Sequence, residues 1–166
     1  MTPNPTMRSM LTALSLAAAV CLAGAPAVAQ KSMAYPGTKF LKTSHSYATL
    51  LQRIEKAIKK NKMGLVNRAS ATLGAKRVLG LTIPGNMVIG VYHPRFAVRM
   101  LKASVPAGIE APIRFYVTEN ADKTATLTYR TPSSLFAPYG SGALDKMARE
   151  LDGIFAAIAK DAVSSN

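Results

Sequence analysis

Tyr92 and His93 are the adjacent pair with evident chemical capacity in this chain, and Pro94-Arg95 follows them directly. A phenol beside an imidazole can hold an anion, move a proton or ligate a metal. Before the pair, Met87-Val88-Ile89-Gly90-Val91 is a continuous apolar run, the pattern of a strand covered on both faces. After it, Pro94 suits the first position of a helix, with His93 at the cap. The pair therefore stands between a strand's C-terminal end and a helix N-terminus, where free N–H groups and the helix dipole favour negative charge. The expected ligand is a small anion contacted by Tyr92, His93, Arg95 and Arg99, with Tyr139 from a later turn beside them. Plain capping of the helix by His93 is the competing role.

Other chemistries have less to work with. The second histidine, His45, is far away in sequence, and there is no His-x-x-x-His, no carboxylate cluster and no c-type haem attachment word. No cofactor or metal is expected, and a haem or metal held by His93 and Tyr92 is the alternative reading. The sequence leans away from an enzyme, since it has no nucleophile elbow, phosphate-cradling glycine loop or closely spaced carboxylate pair. Most carboxylates fall on expected helix surfaces or in a hairpin turn, where solvated charge is the ordinary state. An uncharacterised enzyme is the remaining alternative.

Charge says more about partners. Lys and Arg number 21 against 8 Asp and Glu, for a formal net charge of +13. Lys56, Lys59 and Lys60 crowd one helix, and Arg95, Arg99 and Lys102 stand at i, i+4, i+7 on another. These faces fit a small anion, or an acidic protein or envelope surface, by long-range attraction. Nucleic acid is disfavoured, because the chain lacks the aromatic-basic pattern of single-strand binders and carries a leader for export.

That leader occupies residues 1–29. Arg8 precedes an apolar run from Met10 to Ala23, and Ala27-Val28-Ala29 is a small-x-small cleavage site, so the mature chain is expected to start at Gln30 and to be periplasmic or secreted. Cys21, the one cysteine, goes with it, which excludes disulfides and thiolate chemistry afterwards. No later stretch is long and apolar enough to span a bilayer. The mature chain would keep 20 basic against 8 acidic residues, a net +12.

The elements that must position these groups follow from spacing. Residues 30–39 read as a linker, 40–163 as a single domain and 164–166 as a tail, with a first strand around Lys39–Thr43. Tyr47, Leu50, Leu51, Ile54 and Ile58 recur at helical spacing behind Ser46 as cap. An extended piece from Leu65 leads to a brief helix from Leu73 to Leu79 with Ala75, Val78 and Leu79 inward. In the helix after Pro94, Ala97, Val98 and Leu101 are expected to pack inward. Ile113, Phe115, Val117 and Ala125, Leu127, Tyr129 alternate with polar residues around the turn Glu119–Lys123, which is an antiparallel hairpin. Pro132-Ser133-Ser134 opens a short helical segment, and Leu144, Met147, Ala148, Leu151, Ile154, Phe155 and Ile158 make the apolar stripe of the last helix. The fold class is an α/β (α+β) sandwich, a mixed, largely antiparallel sheet with helices packed on it.

The words along this order resemble the domain of unknown function family 302. They are Ser46-Tyr47 at the first helix, Val88-Ile89-Gly90-Val91-Tyr92-His93-Pro94 at the strand-to-helix turn, Thr128-Tyr129-Arg130-Thr131-Pro132 after the hairpin, and Leu135-Phe136-Ala137-Pro138-Tyr139-Gly140. The resemblance covers roughly residues 40 to 163. It implies a small α/β sandwich and a homodimer, with an Asn, in many relatives, at the position His93 holds here. Relatives with a cysteine at that turn could use a thiol, and this chain has none there.

Overall fold

The computed structural model describes residues 35–165, so the leader, its cleavage site and Cys21 lie outside the described residues. Strand β1 (Thr38–Ser46) begins inside the segment read as linker. Helix α1 (Tyr47–Lys60) follows without a gap, because the Ser46 hydroxyl accepts the Thr49 N–H at 3.2 Å and so satisfies one of the first-turn donors. Its Leu50, Ile54, Ala57 and Ile58 are buried, one stripe at the expected period. After β2 (Gly64–Ala69) comes α2 (Ala71–Gly74), which continues as a π-helical turn to Leu79. Then follow β3 (Asn86–Tyr92), α3 (Pro94–Ala103), a 3-10 turn at Pro106–Glu110, β4 (Ile113–Glu119), β5 (Thr124–Arg130), α4 (Pro132–Phe136) and the long α5 (Gly142–Val163).

The five strands lie in the order β1-β5-β4-β3-β2, and each neighbouring pair is antiparallel. The sandwich read from the sequence is thus what forms, with no parallel pair among the described strands. Register puts Leu41 opposite Leu127, Leu127 opposite Val117, and Phe115 between Ile89 and Tyr129. These side chains share one face, which the helices cover. Phe155 of α5 lies on Phe115 with ring centroids 4.9 Å apart and planes 14° from parallel, and Tyr129 flanks both. Burying each such ring from water contributes about 2–3 kcal/mol. The hairpin turn is fixed by Asp122, whose Oδ1 accepts the Thr124 hydroxyl at 2.6 Å and its N–H at 3.0 Å. Those two bonds hold the Asp122 carboxyl below its ordinary range.

Several local expectations change. β3 is covered by helices on one face: Ile89 and Val91 are buried there, whereas Val88 on the other is half-exposed and Gly90 is hidden only beneath the Asn67 side chain and the Pro112 ring. An apolar run cannot distinguish a central strand with two helical layers from one with neighbouring side chains on its open side. In the turn after α2, Val78 and Leu79 do not face inward but are 77% and 66% exposed, because that segment lies off the sheet. In α3, Phe96, Ala97 and Met100 are buried, while Val98 and Leu101 are exposed. The helix is rotated so that its bulkiest apolar side chains, Phe96 and Met100, reach the core, which maximises buried area.

The two ends of the domain are tied down. The Thr131 N–H donates to the Gly37 carbonyl at 2.9 Å. Arg53 of α1 donates from Nε to the Ala162 carbonyl at 2.8 Å and from a terminal nitrogen to the Ser164 hydroxyl at 2.8 Å, capping the last turn of α5.

Candidate functional site

The Tyr92-His93-Pro94 turn closes β3 and opens α3 as its residue types dictate. His93 is extended, its Nδ1 accepts the Arg95 N–H at 3.1 Å, and Pro94 takes the position where a missing N–H costs nothing. With Nδ1 accepting, the neutral ring carries its proton on Nε2. The capping role is therefore occupied. His93→Ala is expected to lower stability by about 1 kcal/mol and His93→Asn to restore most of it, as read from urea midpoints. A loss in both variants alike would mean the ring does something other than cap.

Beneath the turn lies a cavity of about 30 Å³, lined by Tyr92 and His93 at one side and by Met63, Met100, Met147 and Phe155 below. Its walls are almost wholly apolar, and the room suits about one water molecule. Ser164, whose carbonyl is 2.8 Å from His45 Nε2, stands roughly 25 Å along α5 from Met147 at 1.5 Å per residue. The two histidines are thus at opposite ends of α5. Among the described residues no group of three His, Cys, Asp or Glu could hold a metal ion.

The other residues expected at an anion site are dispersed. The Arg95 and Arg99 guanidiniums lie 4.7 and 5.5 Å from the centroid of Phe96, a cation–π arrangement on one ring. Arg99 also donates to Glu150 at 2.6 Å, so the stripe Arg95, Arg99, Lys102 is interrupted by a carboxylate. Tyr139 donates its hydroxyl to Glu110 at 3.1 Å and does not line the cavity; burial first, and then that bond, raises its phenol above the ordinary range. Tyr92 and His93 are brought together, and Arg95, Arg99 and Tyr139 are turned to other partners.

The carboxylates follow a pattern. Glu55 pairs with Arg68, Glu150 with Arg99, Glu119 with Lys123 and Asp161 with Lys60. Glu110 accepts Tyr139, Asp122 accepts Thr124, and Asp152 accepts the Ser133 N–H at 2.9 Å. Asp145 is the eighth, placed in the first turn of α5 where the dipole favours it. The cations are not used up in the same way. Lys56, Lys59 and Lys62 are exposed on and just beyond the C-terminal half of α1 and make no ion pair among the described residues. Lys56 lines two shallow grooves, one with Lys60 and Asp161, the other with Lys59, Glu55 and Arg68. Lys102 is likewise exposed at the end of α3.

Sequence reading passed over Arg114 and Arg130, which the hairpin sets side by side on the open face of the sheet. Their signal is the alternation itself, since Arg114 stands between inward-facing Ile113 and Phe115 and Arg130 follows inward-facing Tyr129.

The model of the family described as domain of unknown function DUF302 matches residues 40–158. Among solved structures three chains match. One is the uncharacterized conserved protein DUF302 from Bacillus stearothermophilus, 20% identical, with 78% of this chain and 99% of that one covered and a TM-score of 0.69. A likeness at that identity carries the fold. No curated protein matches.

Proposed function

This chain belongs to the domain of unknown function family DUF302, and we propose that it is a non-enzymatic binding module for an anionic partner. The carrying observation is the one-sided use of charge: seven of eight carboxylates have internal partners, while Lys56, Lys59 and Lys62 have no ion pair among the described residues. A general acid or base needs a carboxylate or imidazole free to face a substrate, and the engaged carboxylates are spent on turns, caps and pairs. Clustered lysines on the negative end of α1 suit the helix dipole, and their summed field draws an acidic surface. With export as read from residues 1–29, that surface belongs to the envelope or to a protein outside the cytoplasm.

Retention on vesicles containing acidic phospholipid should be strong at low salt, fall steeply as salt rises, and vanish on neutral vesicles. At about 1 kcal/mol per lysine near such a surface, Lys56→Gln with Lys59→Gln should weaken it about thirtyfold, and Lys146→Gln on α5 should not. Binding that ignores salt, or that survives the double substitution, overturns the reading; binding to an acidic polypeptide but not to vesicles makes the partner a protein.

A further inference from the structure

From the register of the open sheet face we infer that Arg114 and Arg130 form a site for a phosphate monoester dianion, separate from the lysines of α1. Phe115 stands opposite Tyr129, so the next position on each strand sets Arg114 against Arg130. Thr38 continues that row beyond Arg130, and Gly90 and Asn67 continue it beyond Arg114. The row lies on the sheet face opposite Phe115 and Tyr129, with Leu135 of α4 reaching its end. Like charges directly opposite across a strand pair are destabilising, and a local rule broken without a compensating partner points to a functional position.

Among the described residues no carboxylate pairs with either arginine. Arg114 is exposed and makes no ion pair or hydrogen bond. Arg130 has its guanidinium 5.3 Å from the Tyr35 ring centroid, and its Nε is buried without an acceptor. A buried donor left unpaired is destabilising, and an incoming oxyanion would satisfy it. Asp152 is taken by the Ser133 N–H, and Glu119 and Asp122, at the far end of the hairpin, have partners of their own. The two arginines line one groove of about 150 Å³ with Tyr116, Thr128 and Leu135. Two planar forks bring two positive charges and up to four parallel N–H donors, which matches the double charge and three terminal oxygens of a phosphate monoester better than a single carboxylate. The Thr128 hydroxyl supplies a further donor, and the half-exposed Tyr116 ring a wall for the ester's organic part.

The test is titration with inorganic phosphate and with phenyl phosphate at ionic strength held constant by chloride, following the arginine Nε–H resonances by NMR. Saturable shifts at Arg114 and Arg130 are expected, weakened at least tenfold in Arg114→Gln and in Arg130→Gln and unchanged by Lys56→Gln with Lys59→Gln. Vesicles carrying phosphatidic acid form a second arm: retention lost in Arg114→Gln identifies a lipid headgroup, and its persistence alongside phosphate binding identifies a soluble monoester. Equal affinity in wild type and Arg114→Gln, or shifts that never saturate, overturns the site. So does a pair left unshifted by phosphate, whether sedimentation shows the protein monomeric or dimeric. Arg114 is exposed, so that variant decides the matter even where Arg130→Gln fails to fold.

Discussion

Phe155→Ala should lower the unfolding free energy by about 3–5 kcal/mol, shifting the urea midpoint down with its slope unchanged. Phe155 is 0% exposed, stacks on Phe115 and sits near Tyr129, so its removal takes apart the aromatic contact between the last helix and the middle of the sheet. It also lines the cavity under His93. The vacated space would open into that void, and a helix anchored by Leu151 and Ile158 on either side cannot collapse to fill it. Phe155→Leu should lose less than half as much. A loss below about 1.5 kcal/mol for the Ala variant would mean that α5 is far more mobile than close packing allows.

Gly37→Ala is expected to cost about 2–4 kcal/mol, from two sources that add. Gly37 has φ of +77°, a left-handed conformation that a Cβ disfavours. A Cβ there would also run into the Ser134 side chain and come within 2.5 Å of the Thr131 hydroxyl. Relief by moving either neighbour would disturb the Thr131 N–H bond to the Gly37 carbonyl and the start of α4, where the Ser134 hydroxyl donates to the Thr131 carbonyl at 2.8 Å. Gly140→Ala is the internal comparison: its φ is +61° but nothing lies within 4 Å of a new Cβ. It should cost about 1–2 kcal/mol, the left-handed penalty alone. Thermal unfolding of the two variants side by side separates strain from collision, and equal shifts would show that the close approach at Gly37 yields without cost.

What the chain declares in advance is what local spacing can encode. α1, α5 and the β4–β5 hairpin each carry their own period, cap and turn residues, and Ser46, Ser141 and Asp122 act at the ends of these elements as their types require. In α3, Phe96, Ala97, Val98, Met100 and Leu101 offer two overlapping apolar stripes one position apart, and contact with the core, not spacing, chooses between them. The turn of Tyr92 and His93 was likewise legible as geometry. Whether its neighbours attend to it was not, since Glu150 and Glu110, which engage Arg99 and Tyr139, come from elements distant in sequence. The Arg114–Arg130 pair needed the register between two strands, which depends on the length of the hairpin turn as well as on alternation.

The order β1-β5-β4-β3-β2 also has a bearing on time. β1 is the first described strand and pairs with the last, Leu41 with Leu127, so it has no partner in the sheet until the other four strands have been made. Closing so long a loop before any ladder bond rewards it is slow, whereas the hairpin of β4 and β5 can form at once from neighbours in sequence. Until that closure, the edge of β5 that β1 covers is open to other chains, the condition under which strands pair wrongly. A domain wired in this way reaches its native state late and all together, and a chain cut short before Arg130 has no means of protecting its own beginning.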